Sequence, residues 1–154
     1  MTTDPTPATA AAPWLPMWLK VLCIGAAGAA GALARWGLGD AVQALSGSKA
    51  FPWGIFVCNV LGCLLFGVVV GALNNRQPDV PAELQLILLT GFFGAFTTFS
   101  TFAHQSLAML LRQEFGMLLL NVGGQLVVGL SFVFVGMVAG HRMGEALLGP
   151  VPVP

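Results

Sequence analysis

Gly91-Phe92-Phe93-Gly94-Ala95-Phe96-Thr97-Thr98-Phe99-Ser100-Thr101-Phe102 is the stretch whose reading decides the fold. It lies within the 28 uncharged residues between Glu83 and Arg112. As one unbroken α-helix such a run would measure about 42 Å, against a bilayer hydrocarbon core of roughly 30 Å. A helix facing only lipid has no use for the hydroxyls of Thr97, Thr98, Ser100 and Thr101. The segment therefore reads as a transmembrane helix broken near Gly94 to Thr97 and lining something polar. A break at that depth frees backbone carbonyls, which are tolerated only where protein, water or an ion satisfies them. Unwound carbonyls of this kind hold Na⁺ in other membrane proteins, so a monovalent cation site is an expected consequence.

The rest of the chain has the composition such a segment needs. Only 8% of the residues are charged and 56% are hydrophobic, with a mean hydropathy of +0.86. Soluble domains average about 25% charged residues. Cutting at charges leaves four uncharged blocks, 21–34, 50–75, 84–111 and 115–141. The last three exceed the roughly 20 residues needed to span a membrane. The first reaches that length if Lys20 and Arg35 snorkel to opposite interfaces, with Trp18 and Trp36 as anchors. The expected fold is all-α: four transmembrane helices over residues 17–141, an extended or disordered tail over 1–16, and a second tail over 142–154. Residues 1–13 lack the basic start of a cleavable signal, so the first apolar run reads as a retained helix.

Lys20, Arg76 and Arg142 fall on one side of such a bundle and Arg35, Lys49 and Arg112 on the other. An even division gives the positive-inside rule nothing to act on. Either another feature orients the chain, or it inserts both ways and pairs as an antiparallel dimer. A bundle this small has little room to enclose a pathway alone, which favours the dimer.

In chain order, Gly25, Gly28 and Gly31 mark a close contact on helix one, because small residues let membrane helices approach. Arg35 reads as an interfacial anchor or as the basic mouth of an anion path, the anchor being favoured. Val42 and Leu45 suggest a short surface helix between Gly37 and Phe51, and Pro52 opens helix two. Asn59 is the strongly polar residue inside helix two, either bonding a neighbouring helix or facing a permeating species. Residues 74–79 read as a polar hairpin. On helix four, Asn121, Gln125, Gly129, Phe132, Gly136 and Gly140 form one stripe. Phe99, Phe102 and Ser106 share a face of helix three. Cys23, Cys58 and Cys63 read as packing residues, and His104 as an interface or packing histidine.

Three carboxamides in an apolar bundle, with no acid beside them, argue against the proton-coupled exporters that depend on an embedded carboxylate. No nucleophile–base pair, nucleotide loop, metal-ligand cluster or nucleic-acid-binding basic patch is present in the sequence, so nothing points to an enzyme. A small dual-topology multidrug exporter and a non-transporting scaffold subunit remain as alternatives. The first lacks its glutamate, and the second leaves Thr97 to Phe102 unexplained.

Three segments resemble the CrcB/Fluc fluoride channels over residues 17–141: Gly28 to Trp36, Trp53 to Gly62, and most specifically Gly91 to Phe102. The resemblance implies a passive fluoride channel of the bacterial inner membrane, a dual-topology antiparallel homodimer with two pores. It implies a structural Na⁺ held by the carbonyls of Gly94 and Thr97, with Phe99, Phe102 and Asn59 flanking fluoride. Asn121, Gln125 and Gly129, with Ser100 and Thr101, would form a polar track, and Arg35 would sit near an aqueous vestibule. Ile55, Ala95, Gln105 and Gly129 depart from the family's usual threonine, glycine, glutamate and serine.

Overall fold

The computed structural model describes residues 15–48, 50–74 and 80–148. It is all-helical, with four helical spans long and apolar enough to cross a bilayer, as expected of a multi-pass membrane protein. Helix α1 runs Met17–Ser46 and α2 Trp53–Asn74. The third span is in pieces: α3 over Ala82–Leu86, a π-helical stretch over Ile87–Phe93, α4 over Gly94–Phe96 and α5 over Phe99–Leu111. Helix α6 runs Phe115–Leu148, seven residues beyond the expected boundary at His141. Of the hairpin expected over 74–79, Asn74 ends α2, and the remainder, the tail before residue 15, and Lys49 and Arg76 of the charge tally lie outside the described residues.

The main seam joins α2 to α6. Lipid tails are as apolar as leucine, so helices associate through close packing rather than hydrophobic drive. Glycines make that packing possible here. A Cβ on Gly136 or Gly140 would strike the carbonyls of Leu64 or Val68, and one on Gly67 or Gly71 those of Val133 or Met137. The stripe on α6 thus divides in two, its glycine end being a contact surface.

Helix α1 packs along the third span. Gly31 lies against the Phe92 carbonyl and the Phe96 amide, and Gly28 faces Gly91, whereas Gly25 has open space around it. Lys20 Nζ and Glu83 Oε1, 3.4 Å apart, tie the starts of the two spans together. All three cysteines are free, Cys58 fully buried and the others half-buried.

Two expectations about α1 are corrected. Among the described residues no separate surface helix lies between Gly37 and Phe51; α1 continues to Ser46, its extension finding a partner where Gly39 packs on Gly54. Arg35 therefore does not mark the helix end. It sits beside the interruption of the third span. The turn into α2 is held by Gln43, whose Nε2 donates to the carbonyls of Ser48 (2.6 Å) and Phe51 (3.3 Å). Its Oε1 accepts from the Gly54 amide at 3.2 Å.

Candidate functional site

The interruption falls at Thr97 (φ −88°, ψ 153°) and Thr98 (φ −143°, ψ 108°), both extended. Local chemistry accounts for it. Paired β-branched residues lose side-chain freedom in a helix, and threonine is a good helix starter. Thr98 Oγ1 caps α5 by accepting the Thr101 amide at 3.3 Å. Thr97 Oγ1 folds back to donate to the Phe93 carbonyl at 3.0 Å.

An extended residue between two helices leaves its own amide and carbonyl without helical partners. Asn59 supplies both. Its Oδ1 accepts from the Thr98 N–H at 2.9 Å, and its Nδ2 donates to the Thr98 carbonyl at 3.4 Å. The side-chain amide stands in for the neighbouring strand that an extended peptide would otherwise require.

From Asn59 the bonding continues through the bundle. Asn59 Nδ2 also donates to Gln125 Oε1 at 2.6 Å, and Gln125 Nε2 to Asn121 Oδ1 at 2.9 Å. Asn121 Nδ2 donates to Ser106 Oγ at 3.0 Å, which donates to the Phe102 carbonyl at 2.8 Å. Asn121 is fully buried. Every member is neutral. Asn59 commits both amide hydrogens, while Gln125 and Asn121 each commit one to the chain and keep a second N–H. Buried polar networks are tolerable when satisfied, and this one is satisfied in a single direction.

The structure thus brings Asn59, Asn121 and Gln125 into one relay with Thr98. Thr101 Oγ1 joins at 3.0 Å from Thr98 Oγ1, and exposed Ser100 lies 3.3 Å from the same atom. Gly129 does not join: a Cβ there would stand 3.5 Å from Cys63 Sγ, in the α2 contact. The Phe99 and Phe102 rings are 5.7 Å apart and tilted. Phe99 is 79% exposed within the single chain, so it does not pack in its own core.

Arg35 was expected at the membrane edge or in a vestibule; its Nε donates to the Ala95 carbonyl at 3.1 Å, inside the interrupted turn. Its side chain also lines a cavity of about 240 Å³ with Asp40, Gln43 and Gln105. A second cavity, about 360 Å³, shares Gln43 and Gln105 and adds His104 and Arg112. Ser106 was legible on the Phe102 face but was not taken as a site residue. Its distance from Asn121 depends on how α5 turns into α6, which no helical spacing encodes.

The carbonyls fit a cation. In a continuous helix Gly94 O would accept from the Thr98 amide, which goes instead to Asn59. Thr97 O would accept from the Thr101 amide, which goes to the Thr98 hydroxyl. Both are displaced from their helical partners, and Gly94 is exposed in the single chain. Neutral carbonyl oxygens of this kind suit a hard monovalent ion.

Comparison with known proteins places this arrangement. Residues 22–137 match the family described as CrcB-like protein, Camphor Resistance (CrcB). A fluoride-specific ion channel FluC of Nitratidesulfovibrio vulgaris (strain Miyazaki F) is 48% identical over 123 residues, covering 79% of this chain and 97% of the relative. The protein of the same name from Nitrosococcus oceani is 45% identical over 120 residues, 78% of this chain and 94% of its own. That of Thermus thermophilus is 38% identical over 130 residues, 84% and 98% respectively. With the family matched across all four spans and the relatives aligned nearly end to end, the chain belongs to the CrcB family.

Proposed function

We propose that the chain forms a passive, fluoride-selective channel that lets F⁻ leave the cytoplasm and so confers fluoride resistance. The observation that carries this reading is the neutral relay Asn59–Gln125–Asn121–Ser106. Removing water from fluoride is costly, and an uncompensated ion in hydrocarbon is prohibitive. A fixed positive charge would hold the ion too tightly for release, whereas conduction needs several weak sites. The second N–H groups of Gln125 and Asn121, the hydroxyls of Ser100 and Thr101, and the positive ring edges of Phe99 and Phe102 provide such sites. The relatives' shared name, fluoride-specific ion channel, supports the choice of ion.

The working unit is an antiparallel homodimer with two pores, inserted in both orientations in the bacterial inner membrane. Support comes from the third span, where Thr90, Gly94, Phe99 and Ser100 are exposed in one chain. A second copy laid on that face would cover Gly94 and give Phe99 a polar path to border. The displaced carbonyls of Gly94 and Thr97 would hold a structural Na⁺ at the centre of the pair. When bound, the ion would supply positive charge that offsets the dipoles of those carbonyls.

Purified protein in liposomes loaded with KF tests the reading. Valinomycin should trigger rapid passive fluoride release, with chloride retained. Absence of release, or equal release of chloride, overturns it.

A further inference from the structure

We propose that Arg35 is a positioning residue for the cation site: by capping the Ala95 carbonyl it fixes the turn that presents Gly94 and Thr97. The inference rests on the Na⁺ reading above and assigns a role that the anchor and vestibule readings of this arginine do not contain.

The last carbonyls of a helix have no intrahelical partner and carry its negative dipole end. At the end of α4 two of these carbonyls are held by partners. The Phe93 carbonyl accepts from the Thr97 amide at 3.0 Å and from the Thr97 hydroxyl. The Ala95 carbonyl accepts from Arg35. Gly94 lies between these two fixed points, and Thr97 leaves the turn one residue after Phe96. Successive carbonyls of a helical turn are about 100° apart around the axis, so fixing one sets the direction of its neighbour.

The sequence of α1 makes the bond possible. Gly28 and Gly31 bring its backbone against Gly91, Phe92 and Phe96, and Arg35 stands one turn further along the same face. Its Nε can then reach the broken turn, and Arg35 also borders the cavity with Asp40 and Gln105. A fixed cation thus occupies one carbonyl, and an exchangeable one is left the carbonyls around it.

Two effects of Arg35 on Na⁺ oppose each other. The hydrogen bond organises the ligands, and the guanidinium charge repels the ion. A pair of substitutions separates them. Glutamine places an amide nitrogen the same number of bonds from Cα as Arg Nε, without charge. Methionine places a methyl there, without charge or donor. Arg35→Gln and Arg35→Met are both uncharged there, and the first alone keeps a donor for the Ala95 carbonyl.

The readout is the Na⁺ concentration that gives half-maximal slowing of subunit exchange. Two fluorophore-labelled populations of the full chain are mixed in detergent, with choline balancing Na⁺. Arg35→Met should need roughly tenfold more Na⁺ than Arg35→Gln, the worth of one hydrogen bond in that range. Equal midpoints overturn the proposal, since a role through charge alone predicts that result. Lys20→Met serves as a control: it loosens the same pair of helices at the Lys20–Glu83 end and should leave the midpoint in place. A midpoint moved as far as that of Arg35→Met would make the effect general loosening and also overturn the proposal. Should Arg35→Met fail to assemble, Arg35→Asn, an amide one methylene too short to reach, replaces it with the same expectation. If wild-type exchange ignores Na⁺ altogether, the cation-site reading fails and takes this inference with it.

Discussion

Asn59→Asp is the most informative single change, because it preserves half of what Asn59 does. The retained Oδ1 still accepts the Thr98 amide, a 2.9 Å bond that holds the extended residue in place. What is lost is Nδ2, which donates to Gln125 Oε1 at 2.6 Å and to the Thr98 carbonyl at 3.4 Å. An ionised carboxylate would face both of those oxygens, and a charge at membrane depth costs about 3 kcal/mol on insertion scales. The introduced carboxyl therefore takes up a proton and donates to one of the two acceptors. The other is left unpaired, at about 1 to 3 kcal/mol. The relay then keeps its place but loses its first link, and any ionised fraction repels an approaching anion. A loss of about 1.5 to 3 kcal/mol from one charge-assisted hydrogen bond corresponds to roughly 10- to 150-fold in rate. Fluoride efflux from KF-loaded liposomes should fall by at least tenfold, with the dimer intact on size exclusion. Residual efflux should decline further as pH rises, since the conducting form is the protonated one. Efflux within threefold of wild type, flat with pH, would remove Asn59 from the path and leave it a purely structural link.

Phe99→Ile should abolish efflux with little change in thermal stability of the isolated subunit, since the ring is 79% exposed there; isoleucine keeps the bulk but has no positive edge, and undiminished flux would make the ring a lipid contact. Gly140→Val should act through assembly of the bundle. Its side chain would drive α6 off the Val68 carbonyl, and overpacking of this kind costs typically 1 to 3 kcal/mol. A lowered melting temperature and poor yield are expected, and unaltered stability would mean the α2–α6 seam is looser than described.

Much of the site was legible because polarity is conspicuous against an apolar background. Asn59, Asn121 and Gln125 could be singled out as polar residues in apolar runs, whereas the break expected over Gly94 to Thr97 falls later, at Thr97 and Thr98, with Gly94–Phe96 still helical. Their order in the relay was not legible. It depends on the relative rotation of α2, α5 and α6, which is set by glycine contacts such as Gly67 with Val133 rather than by any one helix's periodicity. Gly129 fell on the polar stripe yet packs on Cys63, because the stripe changes neighbour one turn past Gln125. Arg35 was read as a helix-end anchor for a related reason. A charge near the end of an apolar run looks like a boundary, and only the packing of Gly39 on Gly54 shows that the helix continues.

The relay from Asn59 to Ser106 is polarised as well as continuous. Each carboxamide gives its hydrogen in the same sense, from Asn59 to Gln125 to Asn121 to Ser106, so a single subunit has a donor-facing and an acceptor-facing end along its length. A path lined by one such relay would meet donors at one end and acceptors at the other, a built-in directional bias. In the proposed antiparallel pair the two relays run opposite ways, and the two biases cancel. Symmetry of the assembly, rather than symmetry of the pore, would then be what makes the current indifferent to the sign of the voltage.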